Sequence, residues 1–340
     1  MRVLLYKEMQ NMLKVSGIGR AFRQQFKALE MNGVDVTSDK AHPFDIVHFN
    51  TVFEESFSFL KHAKRKGIPV VVHAHSTKED FLNSFNFSKY IKHWFYAKLK
   101  NMYSNADVIV TPSNYSKSLL ESYGYIKCPI KVLSNGIDLK EYERDPKKID
   151  AFRKHFNISE KDKVVIGVGL LFERKGLHDF IEVARMMPDI KFIWFGTLNK
   201  AMQTKVIKNA IEDKPDNMIM PGYIAGDIIK GAFSSANCLL FPSYEETEGI
   251  VVLEAMASRL PIIVRDIPVY ADFTHGKEVL KGSSNLEFAT KIQQILKKDM
   301  SAMTEAAYQS VSQKDLKLIG QQLKAIYEET IERVKNHENN

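Results

Sequence analysis

The sequence predicts an α/β chain of two parallel-sheet domains. Three observations carry this reading: short β-branched runs alternate with helical patterns from end to end, 340 residues suffice for two domains of ordinary size, and a polar stretch without strands interrupts the alternation midway. In the first half the runs are residues 3–6, 46–49, 70–73, 108–111 and 131–133, with a helix over 21–31 behind the first. In the second they are 164–169, 191–195, 218–221, 238–241 and 261–264, with a helix over 178–187. Between the two sets, Ser134-Asn135-Gly136-Ile137-Asp138 reads as a turn and 141–163 as a polar helical linker. The expected domains are therefore 1–155 and 156–312. Residues 315–334 read as a long helix, so 313–340 form a C-terminal helical segment with a polar tail.

The balance of 44% hydrophobic and 26% charged residues is that of a globular protein and excludes disordered and fibrous classes. Charges break the first apolar run early, and no later stretch approaches the ~20 apolar residues of a membrane span, so a cytoplasmic location is expected. Cys128 and Cys238 lack metal-ligand spacing and read as reduced, buried thiols. The net charge of +7 lies wholly in the first half, where residues 1–150 hold 23 Lys and Arg against 16 Asp and Glu. That asymmetry points to an anionic partner surface, lipid headgroups before nucleic acid.

Five segments carry chemistry. Pro242-Ser243-Tyr244-Glu245-Glu246-Thr247-Glu248-Gly249 follows an expected strand and opens a helix at Ile250, which places Glu246 in the loop and Glu254 in the early helix. A carboxylate accepts two hydroxyl hydrogen bonds at once, and N–H groups at a helix start bind polyol or phosphate oxygens. On their own, the two glutamates fit a capped surface helix equally well. Gly169-Leu170-Leu171-Phe172-Glu173-Arg174-Lys175-Gly176 sets two cations over the carboxyl end of a strand, where they can neutralise a diphosphate. Phe195-Gly196-Thr197 is a third such loop. In the first half, Ser16-Gly17-Ile18-Gly19 lets backbone approach a ligand but lacks the third glycine of a dinucleotide fingerprint. His73 and His75 stand two apart at a strand end, either packed there or, for His75, reaching substrate. There is no Asp-x-Asp, Walker loop or Gly-x-Ser-x-Gly, so any leaving diphosphate falls to Arg174, Lys175 and helix N-termini rather than to a metal.

The Gly-rich first loop, the strand-edge histidine, Ser134-Asn135-Gly136-Ile137-Asp138, Arg174-Lys175-Gly176 and the Glu246 to Glu254 motif together resemble the retaining GT-B glycosyltransferases of family GT4, over nearly the whole chain. The resemblance implies two Rossmann-like domains facing each other across a cleft, with the last helix crossing back to the first. It implies a C-terminal domain for the nucleotide sugar and an N-terminal one for the acceptor. Carried over, His75, Arg174, Lys175 and Glu246 are the catalytic set: Arg174 and Lys175 on the diphosphate, Glu246 on the hexose, His75 beside it. Glu254 would hold the ribose, and Thr247, Glu248, Gly249 and Ile250 would line the sugar. Gly17, Gly19, Gly169, Gly196 and Tyr223 complete the donor contacts. Glu248 stands where the family usually carries an aromatic or small apolar residue, which marks it for donor choice.

His75 to Asp80, Tyr244 to Glu254 and Arg265 to Tyr270 look most like the Gram-positive synthases that glycosylate monoglucosyldiacylglycerol. The implied reaction moves a hexose from UDP-galactose or UDP-glucose to that lipid, giving an α-linked dihexosyl diacylglycerol, with no catalytic metal, no cofactor and no nucleic acid. A membrane acceptor accounts for the charge. Phe81, Phe85, Lys89, Lys92, Trp94, Phe95 and Lys98 form an aromatic and basic run, and Ile91, Trp94, Phe95, Leu99 and Met102 share one helical face with lysines beside it. Such a helix docks peripherally on an anionic inner leaflet, or it faces the core. Rival readings are a GT4 transferase acting on a capsule or other surface glycan, and a non-catalytic protein that keeps only the fold.

Overall fold

The computed structural model describes residues 1–9, 16–82 and 84–338. The chain divides into two units, one of Met1–Phe81, Tyr90–Gly136 and Lys314–Asn340, the other of Leu82–Lys89 and Ile137–Gln313. The boundary expected at residue 155 lies inside the second unit. The reason is the helix Pro146–His155, which packs against the helix Asp227–Ser235 so closely that a Cβ on Gly231 would overlap the Lys148 carbonyl. Asp145 caps Pro146–His155, accepting the Lys147 N–H at 2.9 Å.

In the first unit, six parallel strands, β1 (Arg2–Tyr6), β2 (Asp35–Thr37), β3 (Ile46–Phe49), β4 (Val70–His73), β5 (Val108–Thr111) and β6 (Ile130–Val132), lie in the order β2-β1-β3-β4-β5-β6. β3 to β5 are buried at every residue, as expected of strands covered by helices on both faces. One face packs Val47, Phe49, Val70 and Val72 against Phe95, Leu99, Met102 and Tyr103 of the helix Ser88–Tyr103. The other packs Val3, Leu5, Val71 and Val110 against Phe22 and Leu29 of the helix Gly17–Met31, and against Ile319, Leu323 and Tyr327 of the helix Leu316–Glu338. The last helix is thus part of this unit's core. Each such aliphatic side chain contributes ~1.5–3 kcal/mol by burial.

The two helices of that face touch at Gly320, where a Cβ would overlap the Ala28 carbonyl and the Asn32 amide. Asn32 Nδ2 donates to Ala28 O at 2.8 Å and to Lys317 O at 3.0 Å across the same contact. Exchanging a helical glycine for alanine ordinarily stabilises by ~0.5–1 kcal/mol. At this crossing Gly320→Ala is expected to destabilise instead, by ~1–3 kcal/mol, in urea unfolding followed by circular dichroism. A gain in stability would show that the helices can separate without loss.

In the second unit, β7 (Val164–Val168), β8 (Lys191–Phe195), β9 (Met218–Gly222), β10 (Cys238–Phe241), β11 (Ile262–Arg265) and β12 (Leu280–Gly282) form a parallel sheet in the order β12-β11-β10-β7-β8-β9. Trp194, Phe180 and Phe192 fill its core, and Gly167 leaves the space Trp194 occupies. Successive strands run outward from β7 to β9, and then the chain returns to build β10 to β12 on the other side of β7. The strand order therefore reverses between β7 and β10, the crevice in which open parallel sheets hold ligands. In the first sheet the reversal falls between β1 and β3.

The edge strands β2 and β12 were not expected from the sequence. The remaining strand limits shift by about one residue from the expected ones, as terminal residues commonly do.

Candidate functional site

The loops leaving β7 and β10 meet at the second sheet's reversal point. After β7 the chain turns through a short helical turn, Glu173–Lys175, into Gly176. Gly176 has φ +72°, and a Cβ there would overlap the Pro242 carbonyl, so only glycine allows the two loops to close on each other. Gly249, with φ +83°, ends the β10 loop and starts the helix Ile250–Ala257; a Cβ on it would strike the Tyr270 hydroxyl. Gly196, after β8, fits its backbone directly over the Gly169 carbonyl, which accepts from Trp194 Nε1 at 3.0 Å.

On this frame the Lys175 ammonium pairs with the Glu246 carboxylate, and Arg174 Nη1 stands 4.0 Å from the other carboxylate oxygen. Arg174 is itself fixed: Nε donates to Ser84 Oγ at 2.9 Å and Nη1 to the Glu245 carbonyl at 2.8 Å, while its own carbonyl accepts the Tyr244 N–H at 2.7 Å. Burial raises the Glu246 carboxyl, but the charges of Lys175 and Arg174 and the hydrogen bond from Lys175 outweigh it, and the group is held below its ordinary value. The result is an ionised, buried carboxylate beside two cations. Two positive charges set beside one another can receive an anionic group, and the carboxylate between them can accept hydroxyl hydrogen bonds.

The other predicted residues fall around this cluster. Thr247 and Ile250 are half-buried, and Glu248 is buried beside Tyr270. Glu254, on the helix behind Gly249, is buried and accepts a hydrogen bond from the Tyr142 hydroxyl. Tyr223 is exposed at the end of β9, two strands from the reversal point. Sequence reasoning missed Ser84 and Tyr142, which lie far from their partners along the chain and carry no local signal. Among the described residues no three His, Cys, Asp or Glu side chains converge to hold a metal.

In the first unit, Gly17 and Gly19 belong to the first turn of the helix Gly17–Met31 rather than to a loop before it, because Ser16 caps that helix by accepting the Gly19 N–H at 3.2 Å. Where Gly17 lacks a Cβ the space is open. A pocket beside this turn is lined by Ile18, Asn50, Phe53, His75, Ser76 and Phe95. His75 Nε2 donates to Asn50 Oδ1 at 2.7 Å, and its ring stacks on His73 at 4.0 Å, so the two histidines do share one side. Burial pushes His75 down to about 3, so near pH 7 it acts as a neutral imidazole and not as a cation.

The aromatic helix divides its residues differently from the expected single face. Phe95, Leu99 and Met102 are core residues, and Phe81 stacks on Phe95 at 3.9 Å, so Phe81 and Phe95 are corrected from membrane contacts to packing. Trp94 is 47% exposed, Ile91 38% and Tyr90 85%, with Lys89 exposed and Lys92 half-buried nearby. Adjacent helical positions are ~100° apart, which is why Phe95 turns inward and Trp94 outward. Trp94 stacks near Phe53 at 6.4 Å, next to the His75 pocket. Lys98 pairs with Glu54, and Phe85 lies against Phe172 in the second unit. No helix among the described residues is long and apolar enough to cross a membrane.

Residues 148–310 match the family described as glycosyl transferases group 1, and residues 39–141 match glycosyltransferase family 4. A processive diacylglycerol alpha-glucosyltransferase of Acholeplasma laidlawii is 53% identical over 97% of this chain and 99% of its own. The alpha-galactosylglucosyldiacylglycerol synthase of Streptococcus pneumoniae is 24% identical over 76% of this chain and 71% of its own. In fold, the chain is similar to Anabaena HepE solved with UDP and glucose (TM-score 0.79, 18% identity, 97% of this chain and 100% of that one). It is similar also to the sucrose-phosphate synthase of Thermosynechococcus elongatus (TM-score 0.82, 16% identity, 97% and 98%). With more than half its residues shared with one relative along nearly its whole length, and with two parallel six-stranded sheets of the GT-B type, the chain belongs to the family 4 glycosyltransferases and is itself a glycosyltransferase.

Proposed function

We propose that this enzyme transfers a hexose from UDP-glucose or UDP-galactose to monoglucosyldiacylglycerol, with retention, and that it does so on an anionic membrane surface. The observation that carries the reading is the Arg174, Lys175 and Glu246 cluster at the second sheet's reversal point, which offers two fixed cations and an ionised acceptor to a sugar diphosphate. The name of the 53% identical relative supports a diacylglycerol-based acceptor and, of the two donors, favours glucose. In this mechanism Arg174 and Lys175 hold the diphosphate and stabilise the charge that grows on it as the glycosidic bond breaks, without a metal. Glu246 accepts hydrogen bonds from the hexose, Glu254 orients the ribose, and the neutral His75 takes part in the acceptor pocket of the first unit. Incubation with monoglucosyldiacylglycerol and each UDP-sugar, followed by mass and linkage analysis, tests it. UDP release without a dihexosyl lipid would overturn the acceptor assignment.

Membrane docking rests on Tyr90, Ile91 and Trp94, an exposed aromatic and aliphatic surface flanked by Lys89 and Lys92. Such a helix binds an anionic leaflet through apolar insertion, with ~1 kcal/mol from each nearby lysine. Tyr90→Glu with Trp94→Glu is expected to weaken flotation with anionic vesicles by about tenfold or more while leaving the fold intact, since both side chains are exposed. Phe95→Glu should instead unfold the first unit, because that side chain is only 4% exposed. Unchanged vesicle binding by the double glutamate variant would refute docking through this helix.

A further inference from the structure

Arg265, the last residue of β11, is buried, and each of its three guanidinium nitrogens donates a hydrogen bond. Nε donates to the Pro242 carbonyl at 2.9 Å, Nη1 to the Ser283 carbonyl at 3.1 Å, and Nη2 to Asp179 Oδ2 at 2.6 Å. The guanidinium also lies over the Tyr244 ring at 3.8 Å. Three segments are thereby tied to one side chain: the β10 loop through Pro242 and Tyr244, the first turn of the helix Leu177–Met186 through Asp179, and the residues after β12 through Ser283. The Pro242 carbonyl it holds is the same one that packs against Gly176, and the Tyr244 N–H beside it binds the Arg174 carbonyl.

A buried ion pair by itself adds little net stability, because desolvation offsets most of the attraction. A planar fork does something a packed aliphatic side chain does not: it fixes directions at several acceptors at once. Here the acceptors lie on the segments that flank the Arg174-Lys175-Gly176 turn and the Glu245-Glu246 loop.

We infer that Arg265, held by Asp179 and Tyr244, is the positioning residue that sets the spacing of the Arg174–Lys175 cations from Glu246, and so tunes binding of the nucleoside diphosphate moiety. It acts through the Pro242 carbonyl, which it hydrogen-bonds, and through the Tyr244 ring, on which it lies. The inference rests on the donor reading above.

Arg265→Lys keeps the charge and loses the fork. Tyr244→Ala removes the stacked face and is safe for folding, since Tyr244 is 45% exposed. UDP affinity by titration calorimetry, kcat with donor and acceptor, and the melting temperature are measured for both, with Lys175→Ala as the control for the donor site. Displacement of a catalytic group by about an ångström lowers rate up to ~100-fold. The expected result for Arg265→Lys is UDP binding weakened about tenfold and kcat lowered about 30- to 100-fold per folded molecule. Tyr244→Ala should lose about three- to tenfold in kcat with its melting temperature nearly unchanged. A merely structural role would lower the melting temperature and leave UDP affinity and kcat of the folded molecules unaltered. If Arg265→Lys does not fold, Tyr244→Ala decides by the same readouts. Folded variants with wild-type UDP affinity and kcat would overturn the inference alone, provided Lys175→Ala abolishes UDP binding. If the wild-type protein itself binds no UDP, the donor reading and the inference fall together.

Discussion

Arg174→Ala combined with Lys175→Ala is expected to lower donor-dependent UDP release by ~10³-fold or more, the effect of withdrawing preorganised charge from the point where negative charge grows. The two losses should not add simply, because both cations face one carboxylate and would face one diphosphate. The substitution also has a stability effect that must be separated from the catalytic one. Glu246 is 6% exposed, and without its cations burial alone acts on it, so the double variant leaves an uncompensated carboxylate that costs ~3–5 kcal/mol or takes up a proton. Adding Glu246→Gln removes that charge. The triple variant should therefore recover most of the melting temperature and none of the turnover. Turnover that survives in the folded double variant would show that the diphosphate is held elsewhere.

That cluster was legible in the sequence because its parts sit at the ends of strands that are themselves unmistakable. Runs such as Val164 to Val168 and Cys238 to Phe241 are buried at every position, so their limits, and the loops beyond them, are marked by composition alone. β2 and β12 escaped for the opposite reason. Asp35-Val36-Thr37 and Leu280-Lys281-Gly282 are three-residue edge strands with polar or flexible members, and only their neighbours in the sheet make them strands. Periodicity also identified the helix Ser88–Tyr103 but not which of its aromatic residues turn inward. Neighbouring Trp94 and Phe95 differ in exposure because the sheet covers only one of them. The contacts of Arg174 with Ser84 and of Glu254 with Tyr142 join residues 90 and 112 positions apart, a separation at which no spacing rule operates. The members of the cluster were readable; the side chains that hold them in place were not.

The first unit is expected to lose stability steeply as pH falls below about 6.5, before most carboxylates titrate. His48 and His73 are almost wholly buried, with rings stacked at 5.4 Å, and His73 stacks in turn on His75. Burial pushes His48 down to about 3, with His75 adding to the effect, and pushes His73 well below its ordinary value, with His75 and His48 contributing. Their hydrogen bonds suit neutral rings: Gln25 Nε2 donates to His73 Nδ1 at 2.9 Å, and His48 Nδ1 pairs with the Tyr327 hydroxyl at 2.7 Å. Between pH 6.5 and about 3 the unfolded chain therefore binds protons that the folded chain refuses, so stability rises with pH across that window and is lost as pH falls through it. Each fully neutral histidine contributes a slope of up to ~1.4 kcal/mol per pH unit, and His48, His73 and His75 together up to about three times that. Urea unfolding at pH 7.5, 6.0 and 5.0, read from a first-unit probe, measures the slope. His48→Gln, which keeps a polar group for Tyr327 and cannot take up a proton, should reduce it by about one proton's worth while lowering stability at pH 7.5. A wild-type slope near zero between pH 6 and 5 would mean that the histidines accept protons within the folded unit, and that the Tyr327 contact tolerates a charged ring.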